Sequence, residues 1–399
     1  MTVAVSYPGN AALGAEPAVK PRAGVRLQNI DAVRGLVMVF MLLDHLRETW
    51  LVDVPVADPV DVRTTIPAIV MARFLVSLCA PIFVALTGVG VFLFRSTHTL
   101  EETTTYLLKR GLLLMALDVF ILSELYWGIT QPTVWLQVIW AIGVCMLVMI
   151  GLIRLPLKAI FAIGLVIVVG HNLLDPIQLQ PGNPWLPLWA ELHQKALMDT
   201  GLGLHVKTTY PVLAWVGVIA LGYCAGSWFL PDVSQAERQR RFTLLGVGLL
   251  VGFVVLRLIN GYGDKPWFVV EGDPFRTFLS FISLTKYPPS LLFLMPTLGF
   301  GALFLALFDR IQGTWLSNAL AVFGGAPLFF YILHLCVLRI LYHSALAIYG
   351  PNHGGNFMVS SYGWVLLWYV ALIVPLYIPT AWFSRLKRRR RDLAWLRYF

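Results

Sequence analysis

Runs of about twenty apolar residues recur along this chain, and few environments let a polypeptide present so many of them. About 20 consecutive apolar residues cross a bilayer. Stretches of that size lie at residues 35–52, 66–94, 107–127, 134–153, 155–174, 210–230, 242–260, 289–308, 321–349 and 362–384. Of the 399 residues, 58% are hydrophobic and only 13% charged, whereas a soluble domain carries about 25% charge. Polar surface is too scarce to clothe a water-soluble fold. The chain is therefore expected to be all-α and polytopic, a bundle of about ten transmembrane helices. Pro81 and Pro327, inside the second and ninth spans, predict tilts or kinks there.

Twenty of the thirty Lys and Arg residues fall on the side of the bundle that holds both termini, and six on the other. Positive charge collects on the cytoplasmic side, so both termini are predicted to be cytoplasmic. The net charge of +9 owes much to "RLKRRRRDLAW" near the C-terminus. That run fits a topology signal resting on anionic lipid headgroups; a nucleic-acid partner would need a folded basic face and is not expected. Residues 1–26 read as a flexible cytoplasmic tail without a cleavable signal, 27–384 as one membrane domain, and 385–399 as a basic cytoplasmic tail. Cys79, Cys145, Cys224 and Cys336 each stand alone in apolar runs, with neither metal-ligand spacing nor a disulfide framework. No metal is expected, and homo-oligomerisation is left open. Two long outer connections, about 175–209 and 261–288, are where a substrate would be recognised.

The first span breaks the apolar rule. In "VRGLVMVFMLLDHLRETW" (residues 33–50), Asp44, His45, Arg47 and Glu48 follow the run Leu36–Leu43 within five positions. Each ionisable side chain at membrane depth costs roughly 2.5–3.5 kcal/mol on insertion scales, so such residues pair or line a pathway. Asp44 with Arg47, and His45 with Glu48, are i,i+3 neighbours able to pair. Arg34 and His45 share a helix face about 16 Å apart. A guanidinium suits phosphate and a histidine suits proton abstraction near neutral pH, so Arg34 is assigned to a phosphate-bearing donor and His45 to the base, oriented by Asp44 or Glu48.

Two more histidines, His334 in "FFYILHLC" and His171 in "VVGHNLLD", are expected at similar depth, where all three could line one cavity. Lys286 in "LTKYPPSLL" is placed at the outer mouth, to bind an anionic acceptor or to snorkel at the interface. "NGYGD" (260–264) reads as a turn, with Gly261 and Gly263 allowing positive φ.

"LQNIDAVRGLVMVFMLLDHLRETW" resembles the opening of the heparan-alpha-glucosaminide N-acetyltransferase catalytic-domain family, in its bacterial membrane-protein branch. "LQVIWAIG", "GHNLLD", "NGYGD", "LTKYPPSLLF" and "FGGAPLFFYILHL" are similar to the same branch. That family lies in the transmembrane acyltransferase superfamily with acyltransferase-3, whose Arg-x10-His spacing in the first span is matched by Arg34 and His45. The resemblance implies an integral protein of the bacterial cytoplasmic membrane that moves an acyl group, usually acetyl, from cytoplasmic acetyl-CoA. The acceptor would be a hydroxyl or amine on the far side, such as a glycan. One departure stands out: the lysosomal enzyme has its proposed catalytic histidine in the loop after its first span, and "VDVPVADPVDVRTTIP" contains none. Two rival readings remain, a proton-coupled transporter using Asp44, His45 and Glu48, and a b-type haem protein with His45 and His334 or His171 as axial ligands.

Overall fold

The computed structural model describes residues 27–51, 56–123, 125, 133–390, 392–393 and 396. The tail expected over 1–26 lies outside these residues, as does part of the basic C-terminal run. Helices α1 (Gln28–Trp50), α2 (Pro67–Ser77), α3 (Cys79–Arg95) and α4 (Leu100–Leu117) come first, α4 continuing as a π-helical turn, Asp118–Leu122. Strand β1 (Thr133–Leu136), α5 (Val138–Leu152), α6 (Leu157–Gly170) and α7 (Leu186–Leu192) follow. Next are strands β2 (Ala196–Asp199) and β3 (His205–Thr208), then α8 (Leu213–Ala225), α9 (Gln235–Ile259) and α10 (Pro274–Ile282). The chain closes with α11 (Leu291–Arg310), α12 (Trp315–Gly325), α13 (Pro327–Tyr349) and α14 (Tyr362–Arg389). Among the described residues, six helical segments are long and apolar enough to cross a membrane: Pro67–Arg95, Leu157–Leu174, α9, α11, α13 and α14. The molecule is a multi-pass membrane protein.

The all-α expectation needs one correction. β1 pairs in parallel with β3, and β2 pairs antiparallel with β3, making a small three-stranded sheet. Its strands come from the segments that follow α4 and α7, so it sits at the end of the bundle where α1 finishes. Residues 134–136, predicted as the start of a span, belong to this sheet; Gln137 separates them from α5.

Helix bounds also shift for physical reasons. α4 starts at Leu100 rather than near 107, because Thr99 and Glu102 form a reciprocal capping box. α1 starts at Gln28, seven residues before the apolar run, since polar residues propagate a helix readily outside hydrocarbon. The ninth span is two helices: Ala326 leaves helical geometry (φ −142°, ψ 59°) and Pro327 opens α13, where a missing N–H costs nothing. Pro81 likewise falls in the first turn of α3, just past the seam at Leu78.

Helices in lipid gain little from apolar burial against one another, so close packing at small residues has to hold them. Five helix pairs do this at facing glycines. A Cβ on Gly35 of α1 would collide with the Leu320 carbonyl of α12, and one on Gly324 with the Asp31 carbonyl of α1. Gly88 of α3 and Gly222 of α8 meet the carbonyls of Ile219 and Ala85 in the same way. Between α4 and α5, a Cβ on Gly111 or Gly143 would come within 2.9 or 2.8 Å of the other's carbonyl oxygen. Gly164 and Gly217 join α6 to α8, and Gly246 and Gly299 join α9 to α11. At the end where α1 begins, buried Asp309 accepts from both Arg238 Nε (3.1 Å) and Nη2 (2.9 Å), from Asn29 and from Gln312. That carboxylate ties α1, α9 and α11 together.

"NGYGD" is a turn, as expected, but its left-handed residues are Asn260 (φ 57°) and Gly263 (φ 89°), and Gly261 is not one of them. Asn260 closes the loop by a two-way bond with the Trp267 backbone. Arg257 spreads its guanidinium over the carbonyls of Lys265, Ser280, Phe281 and Ser283.

Candidate functional site

The polar band of α1 faces inward, onto a cavity of about 470 Å³. Asp44, His45, Arg47 and Glu48 lie on its wall together with Arg73 of α2, Arg110 of α4 and Tyr331 of α13. Asp44 Oδ1 accepts from Arg47 Nε and Nη2 (3.3 and 3.1 Å), and its Oδ2 lies 3.5 Å from Arg73 Nη1. Glu48 Oε1 accepts from Arg47 Nη2 at 2.9 Å. The predicted Asp44–Arg47 pair is present, and Glu48 pairs with Arg47 as well. Arg73, an ion inside an otherwise apolar helix, completes a four-residue network that offsets the cost of burying each charge.

His45 takes its defining contact from another helix. Its Nδ1 lies 2.6 Å from His334 Nε2 of α13, and the rings are within 7° of parallel. His334 Nδ1 lies 2.7 Å from the Phe330 carbonyl. A carbonyl can only accept, so His334 donates from Nδ1 and, as a neutral ring, accepts at Nε2. His45 must then donate from Nδ1, which leaves its basic lone pair on Nε2. The chain of bonds fixes both tautomers. His334 is 0% exposed and stands behind His45, outside the cavity wall; Tyr331 packs edge-on against both rings. The same 2.6 Å separation leaves no space for a metal between the two nitrogens, since metal–imidazole bonds of about 2 Å each would be needed. As placed, the rings do not form the axial pair that the haem reading required.

His171 does not join this pair. It ends α6, 2% exposed, with its ring edge-on to His193 at 5.6 Å, away from the cavity wall. "GHNLLD" instead knits the loops: Asn172 accepts from Leu291 N (2.8 Å) and donates to Asp175, which also holds His193 Nε2 at 2.9 Å. These hydrogen bonds hold the Asp175 carboxyl below its usual range, although burial works the other way.

Arg34 sits between α1 and α3, donating to the Leu86 carbonyl (3.1 Å) with Asp31 3.7 Å away. It is 26% exposed and lies off the wall of the cavity. Lys286 is on the wall, 6% exposed, its backbone held by Asp58, which accepts from Lys286 N and Tyr287 N. Burial raises the Asp58 carboxyl against those same bonds.

Several wall residues were not singled out from the sequence. With the Thr99–Glu102 box starting α4 at Leu100, Arg110 lies ten residues into the helix, about 15 Å along. Lys195, Lys207 and Trp135 reach the cavity through the sheet, and Tyr210 and Tyr287 lie nearby. No periodic signal marks strands this short.

Residues 26–254 match the family model described as heparan-alpha-glucosaminide N-acetyltransferase, catalytic. No curated protein matches the chain.

Proposed function

Since the chain belongs to the heparan-alpha-glucosaminide N-acetyltransferase catalytic family, whose members are acetyl-CoA-dependent transmembrane acetyltransferases, we propose that it carries acetyl from cytoplasmic acetyl-CoA to an acceptor across the membrane. Ten spans with both termini in the cytoplasm, in a bacterial cytoplasmic membrane, put the α1 start on the donor side. Arg34 then holds donor phosphates at that mouth, and Arg110 supplies a second cation deeper in. The sheet end is the acceptor side.

The observation that carries this reading is the His45–His334–Phe330 chain, which gives His45 one basic nitrogen and a fixed ring at the wall of a polar cavity. Nε2 of His45 takes the proton of the acceptor's hydroxyl or amine as that group attacks the thioester carbonyl. The C–S bond breaks, and the departing CoA sulfur takes the proton back from His45. His334 is a positioning residue here, touching no substrate. Asp44 and Glu48 act through Arg47 and Arg73, keeping cations beside the carbonyl oxygen as it gains negative charge. His171 is assigned to the loops that frame acceptor entry.

Water can stand in for the acceptor in the first test. The parent protein in proteoliposomes should release CoA slowly from acetyl-CoA, and His45→Ala should lower that rate by roughly 10²–10⁴-fold. Equal rates for the two would refute the assignment of the base.

A further inference from the structure

The proton transfer described above leaves the hydroxyl of Tyr331 unused. Tyr331 lies on the cavity wall and is 6% exposed. Its ring stands nearly perpendicular to both imidazoles, 78° to His45 and 80° to His334, with centroids 5.7 and 5.6 Å away. Because the imidazoles are nearly parallel and bonded to each other, they act as one surface that fixes the phenol ring.

Among the described residues, the Tyr331 hydroxyl makes no hydrogen bond to protein. The oxygen is not walled off, however. Tyr362 has a hydroxyl that is enclosed without a partner, whereas that of Tyr331 keeps open surface, and the space its residue lines is the cavity. A buried phenol ordinarily finds its partner within the fold. Held at a cavity wall without one, it is set to bond what enters.

The wall changes character at this level. Between Arg110 and His45 it is largely apolar, with Met38 and Met41 of α1, Leu114 of α4, Met146 of α5 and Leu328 of α13. Met41 and Met38 precede His45 by one and two turns, about 6 and 10 Å. Toward the sheet end the wall carries Arg47, Glu48 and Arg73. A pantetheine arm arriving from the α1 start lies along the apolar part and brings its thioester to the boundary, beside His45 and Tyr331. There the carbonyl oxygen needs a directed donor as it gains charge. His45 cannot supply one from Nε2, whose lone pair takes the proton of the acceptor. The guanidiniums of Arg47 and Arg73 are engaged by Asp44 and Glu48, so they contribute field more than a directed bond. A donor aimed at the attacking atom would only hold back its lone pair.

From this juxtaposition we infer that Tyr331 is a catalytic residue: its O–H donates to the thioester carbonyl oxygen, and the bond tightens as that oxygen becomes an alkoxide in the tetrahedral intermediate. This rests on the acetyl-transfer reading above. The acceptor's oxygen or nitrogen bonds to the carbonyl carbon, C–S breaks as the carbonyl re-forms, and the acceptor's proton passes through His45 to the sulfur. Tyr331 keeps its own proton throughout. With the ring fixed by two imidazoles, only the hydroxyl hydrogen has to turn, so little reorganisation is needed when charge appears.

Tyr331→Phe removes the oxygen and keeps the ring. In proteoliposomes, with water as acceptor, its kcat for CoA release should be roughly 10²–10³-fold below the parent, with KM for acetyl-CoA and Tm unchanged. A second readout needs no turnover. The ketone analogue of acetyl-CoA, with a methylene in place of sulfur and an isotopic label at the carbonyl carbon, cannot be cleaved there. Its bound carbonyl stretch, read by isotope-edited infrared difference spectroscopy, should be lower in the parent than in Tyr331→Phe, because hydrogen bonding weakens C=O. Turnover of Tyr331→Phe at the parent rate, or an unchanged stretch, overturns the inference. So does a loss of rate that comes with a matching fall in Tm, which would make the hydroxyl a structural group. If the infrared shift is as expected while the parent releases CoA no faster than His45→Ala, the Tyr331 contact stands and the base assigned to His45 is what falls.

Discussion

Replacing His334 by Phe separates positioning from packing. Phe keeps a ring of similar size between Phe330 and Tyr331 but removes the nitrogen, 2.6 Å from His45 Nδ1, that accepts its proton. Two consequences follow. The N–H of His45 loses a buried partner, a loss of about 1–3 kcal/mol. The proton is also free to move to Nε2, where it would occupy the nitrogen that has to act as base. Taken into the transition state, that range is roughly five- to 150-fold in rate at 1.36 kcal/mol per factor of ten. The rate of CoA release at saturating acetyl-CoA in proteoliposomes should fall by that factor, with KM unchanged because His334 touches no substrate. His334→Gln, whose amide oxygen can accept near the position of Nε2, should recover part of the loss. Adding His334→Phe to His45→Ala should cost nothing further, since the two act as one unit. The reasoning fails if His334→Phe turns over at the parent rate, or if the double variant falls below His45→Ala by the full single-variant factor.

Arg34→Ala should weaken acetyl-CoA binding by roughly 10–150-fold, from loss of a charged hydrogen bond of about 1.5–3 kcal/mol, with little change in Tm; titration of binding in nanodiscs checks both. Gly324→Ala should destabilise by about 1–3 kcal/mol through overpacking against α1. Gly248→Ala, on α9 with nothing within 4 Å, should be neutral or stabilising by up to about 1 kcal/mol; thermal melts of the two give the contrast. The Asp175 carboxyl is depressed in the folded protein. Its contribution is therefore complete above the unfolded carboxylate value and is lost as pH falls through the folded one. Asp175→Asn should flatten that acid-side slope in a Tm-versus-pH series.

The membrane class was legible because twenty-residue apolar runs have no soluble use, and His45 was legible because an ion in such a run needs a reason. The partner of His45 was less so. Both histidines were placed at similar depth, but depth does not say which rings meet, and His171 was grouped with them on the same grounds. Rotation about each helix axis decides the matter, and the glycine crossings set that rotation. Glycine in a sequence signals only a weak helix former, and nothing in "RGLV" or "FGGAP" marks Gly35 and Gly324 as the contacts they are. The cavity-wall lysines carried by the sheet were hidden differently. Lys195 and Lys207 look like ordinary loop residues until β3 pairs with β1 and brings Lys207 against Trp135.

The facing glycines also have a genetic consequence. Every missense change in a glycine codon introduces a larger residue, and at Gly35, Gly88, Gly222 and Gly324 even the first added carbon meets backbone. Random mutagenesis should therefore find these codons nearly invariant under selection for activity, although they lie off the cavity wall. Loss-of-function alleles at these sites would deplete the protein from the membrane and leave each surviving molecule with an intact site. A second-site suppressor would have to move a neighbouring helix, because no smaller residue exists to restore the fit.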